Sequence, residues 1–185
     1  EMCRRHGFSY LNLPVNLGIG GAVQTGYRYA YYHGYDIAVQ FDGDGQHSAS
    51  HLEDMVTTLI DTESDMVIGS RFIEKEGFQS SFTRRLGIRY FTFLIKILTG
   101  QKITDPTSGY RMCNRKIIEL FAGNYPKDYP EPETTTWILR KKLKVLEIPV
   151  IMRAREEGVS SISLKKSFYY MFKVTMAIII ERTRR

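Results

Sequence analysis

The stretch FDGDGQH at residues 41–47 sets two aspartates, Asp42 and Asp44, one glycine apart, directly after the apolar run IAVQF. Residues two apart in extended backbone project to the same side. The two carboxylates are therefore expected to share a face where a strand gives way to a loop. At that spacing they repel each other unless a cation lies between them or one is protonated. Three readings are open: solvated acids in a glycine turn, a calcium loop, or a divalent cation held by few carboxylates and completed by substrate phosphates, the usual arrangement for Mg²⁺. With Asp42 at the first position of an EF-hand loop, Asp44, Gln46 and Glu53 fall at ligand positions, but His47 stands where the turn glycine is required. The flank before it also reads as strand rather than helix, which disfavours calcium.

A second candidate is NLGIGGAVQTGYRYA, residues 16–30. It is an imperfect dinucleotide fingerprint, because Gly18 and Gly20 fit but Val23 stands third. It is no P-loop, because Tyr27 follows Gly26 where lysine is needed. Glycines ahead of a helix can present N–H groups to phosphate, and close helix–sheet packing explains them equally well.

The elements that must position these residues follow from periodicity. Residues 9–13 (SYLNL), 36–41 and 65–69 read as strands, and Ala22–Tyr32 and a segment from Ser50 to about Ile60 read as helices, Ser50 and Glu53 forming a capping-box pattern. Strands alternating with helices at this spacing predict βαβ units and a parallel sheet. Residues 71–82 form a polar connection longer than most. Arg84–Thr99 then reads as an amphipathic helix, 109–114 as strand-like and Thr134–Leu143 as a helix. The strand Val145–Ile151 carries Pro149, which an edge position accommodates best. The tail from Ser167 is an apolar helix ending in arginines.

Composition narrows the class. The chain has 185 residues, 43% hydrophobic and 12% aromatic, with 26 basic against 20 acidic residues for a net charge of +6. That describes one globular domain with a leaning toward anionic partners. The two cysteines, Cys3 and Cys113, have no ligand or disulfide spacing. No apolar run reaches the roughly 18 residues of a spanning helix, and no signal peptide is visible.

Taken in order, NLGIGGAVQTG, FDGDGQH, IGSRF at 68–72, DPTSGYRM at 105–112, Glu133 fourteen residues before Glu147 of EIPV, and REEGVSS at 155–161 resemble the family 2 glycosyltransferases, and within them the dolichyl- and polyprenyl-phosphate branch. The resemblance covers essentially the whole chain. It implies an α/β GT-A fold with a mostly parallel sheet flanked by helices, as a catalytic domain over residues 1–163 and a basic amphipathic helix over 164–185. Family members open with two further strands, bearing IPAYNE-like and DDGS-like motifs, that hold the nucleotide. Neither is present here, so the resemblance implies an N-terminally incomplete copy.

By the same resemblance Asp42 and Asp44 would hold Mg²⁺ or Mn²⁺ against the diphosphate of a nucleotide-sugar, with Gln46 as a further neighbour. Arg71, Ser108, Gly109, Arg111, Arg155 and Ser160 would contact donor or acceptor phosphate and sugar. Glu133 would act as general base toward a saccharide hydroxyl and would only orient a polyprenyl phosphate, whose nucleophile is already anionic. Plainer readings of single residues stand beside these: Arg71 as a cap on a strand end, and Glu131 and Glu133 as acids favoured by a helix N-terminus. The implied reaction is inverting, metal-dependent transfer to polyprenyl phosphate or a cell-envelope glycan. Its setting would be cytoplasmic, peripheral on the inner membrane face through the helices headed by Arg84, Arg85 and Arg89 and ended by Arg182, Arg184 and Arg185, with no nucleic-acid partner. A sugar nucleotidyltransferase would want lysines in its glycine-rich loop, and residues 16–26 carry none. A non-catalytic partner subunit is the remaining alternative.

Overall fold

A computed structural model describes residues 2–78, 81–128, 130–153 and 164–181. The sheet has four strands: β1 (Ile37–Gln40), β2 (Met66–Ser70), β3 (Arg111–Asn114) and β4 (Val145–Pro149), in the order β1-β3-β2-β4. β3 is antiparallel to both β1 and β2, and β4 is parallel to β2. β1, β2 and β4 therefore point the same way and β3 alone is reversed. The α/β architecture is as expected, but the pairing is mixed rather than a run of parallel ladders. β4 lies at an edge, where Pro149 removes no ladder hydrogen bond from a further neighbour.

Alternation along the strands builds two cores. Met66, Ile68 and Cys113 face one way, against Tyr27 and Ala30 of α2 (Gly18–Tyr32), Ile95 of α4 (Phe82–Thr99), Ile117, Ile118 and Phe121 of α5 (Arg115–Gly123) and Ile138 of α6 (Pro130–Arg140). Val67 and Met112 face the other way, against Met55 and Leu59 of α3 (Leu52–Asp61). Helices on both faces explain why every residue of β2 is buried. A third cluster joins Phe91 of α4 to Val174 and Ile178 of α7 (Leu164–Glu181). α1 (Met2–Arg5) buries nothing.

Several expected elements differ. Residues 9–13 form no strand. With β1 at the sheet edge they lie along α2 instead, lining a groove with Ala22, Thr25 and Tyr29, and an extended segment without a ladder partner is not a strand. The capping box at Ser50 is absent, because a 3₁₀ turn, Ala49–His51, precedes α3 and the cap is Ser48, whose hydroxyl accepts from Ser50 N at 3.3 Å. α6 begins at Pro130 rather than Thr134, its prolines occupying the first turn where no N–H is needed. α5 was not expected. It is capped by Asn114, whose side chain accepts from Ile117 N at 3.1 Å. α4 is close to expectation, capped by Ser81 and closed by Gly100 at φ +78°.

Candidate active site

Because β1, β2 and β4 point the same way and β3 returns, one end of the sheet collects the chain that leaves three strands and enters the fourth. This is where open α/β sheets hold ligands. A cleft of about 90 Å³ there is lined by Asp42, Asp44, Gln46 and His47 after β1, by Arg71 and Phe78 after β2, by Arg84, by Thr107, Ser108 and Gly109 before β3, and by Met152 after β4.

β1 ends at Gln40, so both aspartates lie in the turn rather than in strand. They share the cleft through loop geometry, not strand alternation. Asp44 Oδ1 accepts from Gln46 N at 3.1 Å. Gln46 is itself clamped, its carbonyl accepting from Arg153 N at 2.9 Å and its amide donating to Arg153 O at 3.3 Å. Its side chain thus ties the acidic turn to the chain leaving β4. Gly109 lies against Asp42: a Cβ on it would stand 3.0 Å from Asp42 Oδ2 and 3.3 Å from Gln40 Nε2. A side chain there would make the Asp42 carboxylate give by a few tenths of an ångström.

His47 lies under the turn, packed between Phe41 and Tyr110 with ring centroids 5.9 and 5.0 Å away. Burial holds its pKa below the ordinary histidine value, against the opposing pull of Asp42 and Asp44. Its Nδ1 is buried without a hydrogen-bond partner among the described residues. Nothing in spacing singled out His47; its role emerges only when the turn folds over it.

Arg71 is only 2% exposed, so it is no surface cap. Its Nε and Nη2 donate to the two carboxylate oxygens of Asp105 at 2.6 and 2.7 Å, and Nη2 also donates to Thr107 Oγ1 at 3.1 Å. This fork lines the cleft and is at the same time engaged by a buried carboxylate. Arg111 is enclosed more fully. It is 1% exposed and lines no part of the cleft. Its Nε donates to Ser108 O at 2.7 Å, Nη1 to Thr134 Oγ1 at 2.9 Å and Nη2 to Pro106 O at 3.0 Å. It braces the 105–110 loop against α6. Ser108 likewise uses its hydroxyl internally, donating to Gly69 O at 2.7 Å. Glu147 completes the frame: its carboxylate accepts from the backbone N–H groups of Thr104 and Asp105 at 2.7 and 2.8 Å.

Glu133 is partly buried in the first turn of α6 and does not line the cleft. Two residues earlier, Glu131 hydrogen-bonds the side chain of Gln40. Burial raises its pKa above the ordinary carboxylate value, Arg111 opposes that rise, and Asp42 adds to it. Asp42 is thus among the charges that act on Glu131. Arg155 and Ser160 lie outside the described residues.

Among the described residues no group of three or more His, Cys, Asp and Glu side chains could hold a metal ion. The donor set at the turn is two carboxylates. That suits a hard divalent cation finished by ligand phosphate and water, not an all-protein cage.

Residues 1–121 match the family model for glycosyl transferase family 2. An uncharacterized protein of Methanocaldococcus jannaschii is 29% identical over 95% of this chain and 74% of its own length. A UDP-N-acetylglucosamine–dolichyl-phosphate N-acetylglucosaminyltransferase of Methanococcus voltae is 31% identical over 73% of the chain and 55% of its own. A polyprenol monophosphomannose synthase of Mycolicibacterium smegmatis is 30% identical over 85% of the chain and 60% of its own. The chain thus spans between about half and three-quarters of the length of these relatives. With the matched residues carrying the acidic turn, Arg71 and the loop into β3, the chain belongs to glycosyl transferase family 2.

Proposed function

We propose that the protein transfers a sugar from a nucleotide-sugar to a polyprenyl phosphate. The observation that carries this reading is the convergence of Asp42 and Asp44 with Arg84 and the Ser108–Gly109 turn in one polar cleft at the strand ends. The names of the dolichyl-phosphate and polyprenol-phosphate relatives support the acceptor class. Asp42 and Asp44 would hold Mg²⁺ or Mn²⁺, which when bound supplies Lewis acidity to the departing nucleoside diphosphate. The chain's own work is positional: Gln46 fixes the acidic turn, Gly109 seats Asp42, and the Arg71–Asp105 pair with Arg111 holds the facing loop.

The lipid acceptor is also supported by the helices. Phe82, Leu86, Phe93 and Ile97 form an exposed stripe on α4, and Tyr169, Phe172 and Ile179 one on α7. The two helices pack together through Phe91, Val174 and Ile178, with Tyr90 Oη and Thr175 Oγ1 2.9 Å apart. Such a pair can lie in a membrane interface. No described helix is long and apolar enough to cross a membrane.

The test is transfer by the protein across a panel of nucleotide-sugars, with Mg²⁺ or Mn²⁺, toward a short polyprenyl phosphate and toward saccharides. Metal-dependent transfer to the lipid is the expected result, and turnover with saccharides alone overturns the acceptor class. Two variants sharpen it. Gly109→Ala, by displacing Asp42, is expected to lower kcat/KM on the order of 10–100-fold with little change in melting temperature. Glu133→Gln is expected to cost transfer to the lipid phosphate less than about tenfold, whereas losing a general base costs roughly 10²–10⁴-fold. A larger loss with the lipid would restore Glu133 to the chemistry.

A further inference from the structure

A second cleft, of about 520 Å³, lies between the first half of α4 and the chain flanking β2 and β3. Its lining is Phe72, Lys75, Phe82, Arg85, Leu86, Ile88, Arg89, Thr92, Lys102 and Thr104. Four of these ten are cations and none is an acid. Lys75, Arg85, Arg89 and Lys102 make no ion pair among the described residues. Glu74 and Glu76, the sequence neighbours of Lys75, do not line the cleft. Lys75 moreover sits at φ +61°, a left-handed conformation that non-glycine residues seldom adopt without a local reason.

The cleft is separate from the acidic one. Among the described residues the two share no lining residue, and the chain alternates between them: Arg71 lines the acidic cleft and Phe72 the basic one, Arg84 the acidic and Arg85 the basic. On its other side the basic cleft opens onto the exposed stripe of α4, because Phe82 and Leu86 belong to both. Four cations with no ion pair among the described residues, beside an apolar wall continuous with an apolar helix face, suit one kind of occupant: a phosphate on the end of hydrocarbon.

We infer that the cleft of Lys75, Arg85, Arg89 and Lys102 binds the phosphate headgroup of an anionic membrane phospholipid, as an anchoring site distinct from the acceptor site. The inference rests on the membrane-facing reading of α4 and α7. Arg85 and Arg89 would grip the phosphate from the helix, Lys75 and Lys102 from the opposite wall, and the acyl chains would continue along Phe82 and Leu86 into the bilayer.

The test is binding of the protein, without added metal, to vesicles of phosphatidylglycerol with phosphatidylcholine and to vesicles of phosphatidylcholine alone. Lys75→Gln with Lys102→Gln is compared with Lys96→Gln and Lys116→Gln, which remove the same charge from outside the cleft. The cleft variant is expected to lose at least about 20-fold in affinity for the anionic vesicles, and the control pair no more than about fivefold, with neither changed on phosphatidylcholine. Equal losses overturn the site in favour of diffuse surface charge. Inorganic phosphate titrated alone is the other arm: saturation of the cleft by free phosphate, with no displacement by anionic vesicles, overturns the lipid as its source. Phe93→Ser with Ile97→Ser separates the two readings. It should weaken binding to both compositions alike, and if it changes neither, the membrane face fails irrespective of the cleft.

Discussion

Asp105→Ala is expected to destabilise the fold by about 3–5 kcal/mol, the range for removing one partner of a buried ion pair. The reason is what it leaves behind. Asp105 is fully buried, and both its oxygens receive the guanidinium of Arg71, itself 2% exposed. With the carboxylate gone, Arg71 keeps a full charge away from water without the bidentate partner that compensated it. At about 2–4 °C per kcal/mol for a chain of this size, the melting temperature should fall on the order of 10 °C, and a urea titration should show the same change in midpoint. Arg71→Met with Asp105→Leu is the companion. It removes both charges and fills the space, and such replacements are often neutral or stabilising. Recovery of stability in the double variant would show that Arg71 is there to hold the 105–110 loop. A loss under about 1 kcal/mol in Asp105→Ala would instead mean that Arg71 is solvated in solution and available to phosphate.

That pair also marks the limit of what the sequence discloses. β2, α4 and β4 were legible because burial imposes a period on them: the apolar run at 66–68, the helical spacing of Phe91 and Ile95, and Pro149 at an edge each leave a local trace. α5 left one too, since Ile117, Ile118, Phe121 and Ala122 recur at helical spacing behind the cap Asn114. The DPTSG stretch was recognised as a unit. That Asp105 takes Arg71, 34 residues earlier, and that Arg111 turns inward to Thr134 rather than outward to a ligand are tertiary facts with no periodic signature. Arginine suits phosphate and buried carboxylate equally, so residue type alone could not decide. Residues 9–13 failed for a related reason, because strand propensity counts only where a neighbour offers its ladder. Glu131 and Glu133 differ by two positions, and only the packing of α6 shows which of them meets Gln40.

The acidic turn is the opposite case, legible from residue type and spacing. Asp42→Asn and Asp44→Asn are each expected to lower kcat/KM by on the order of 10³-fold or more, about 4 kcal/mol of transition-state stabilisation at 1.36 kcal/mol per decade. The fold should stay within roughly 0.5 kcal/mol of the parent. Asparagine keeps the oxygen that accepts from Gln46 N, so the turn survives, and removing one of two neighbouring charges relieves repulsion. Separating catalysis from stability therefore needs only a melting curve beside the assay. A third readout addresses the cation itself. Mn²⁺ that binds the folded state raises its apparent melting temperature by mass action, and either variant should abolish most of that rise without nucleotide-sugar present or with it. If activity falls while the Mn²⁺ shift persists, the aspartates contact the sugar or diphosphate directly and the cation is held elsewhere. If both persist, the pair is a solvated turn and the cleft's chemistry must be sought at Arg84 and the Ser108–Gly109 turn.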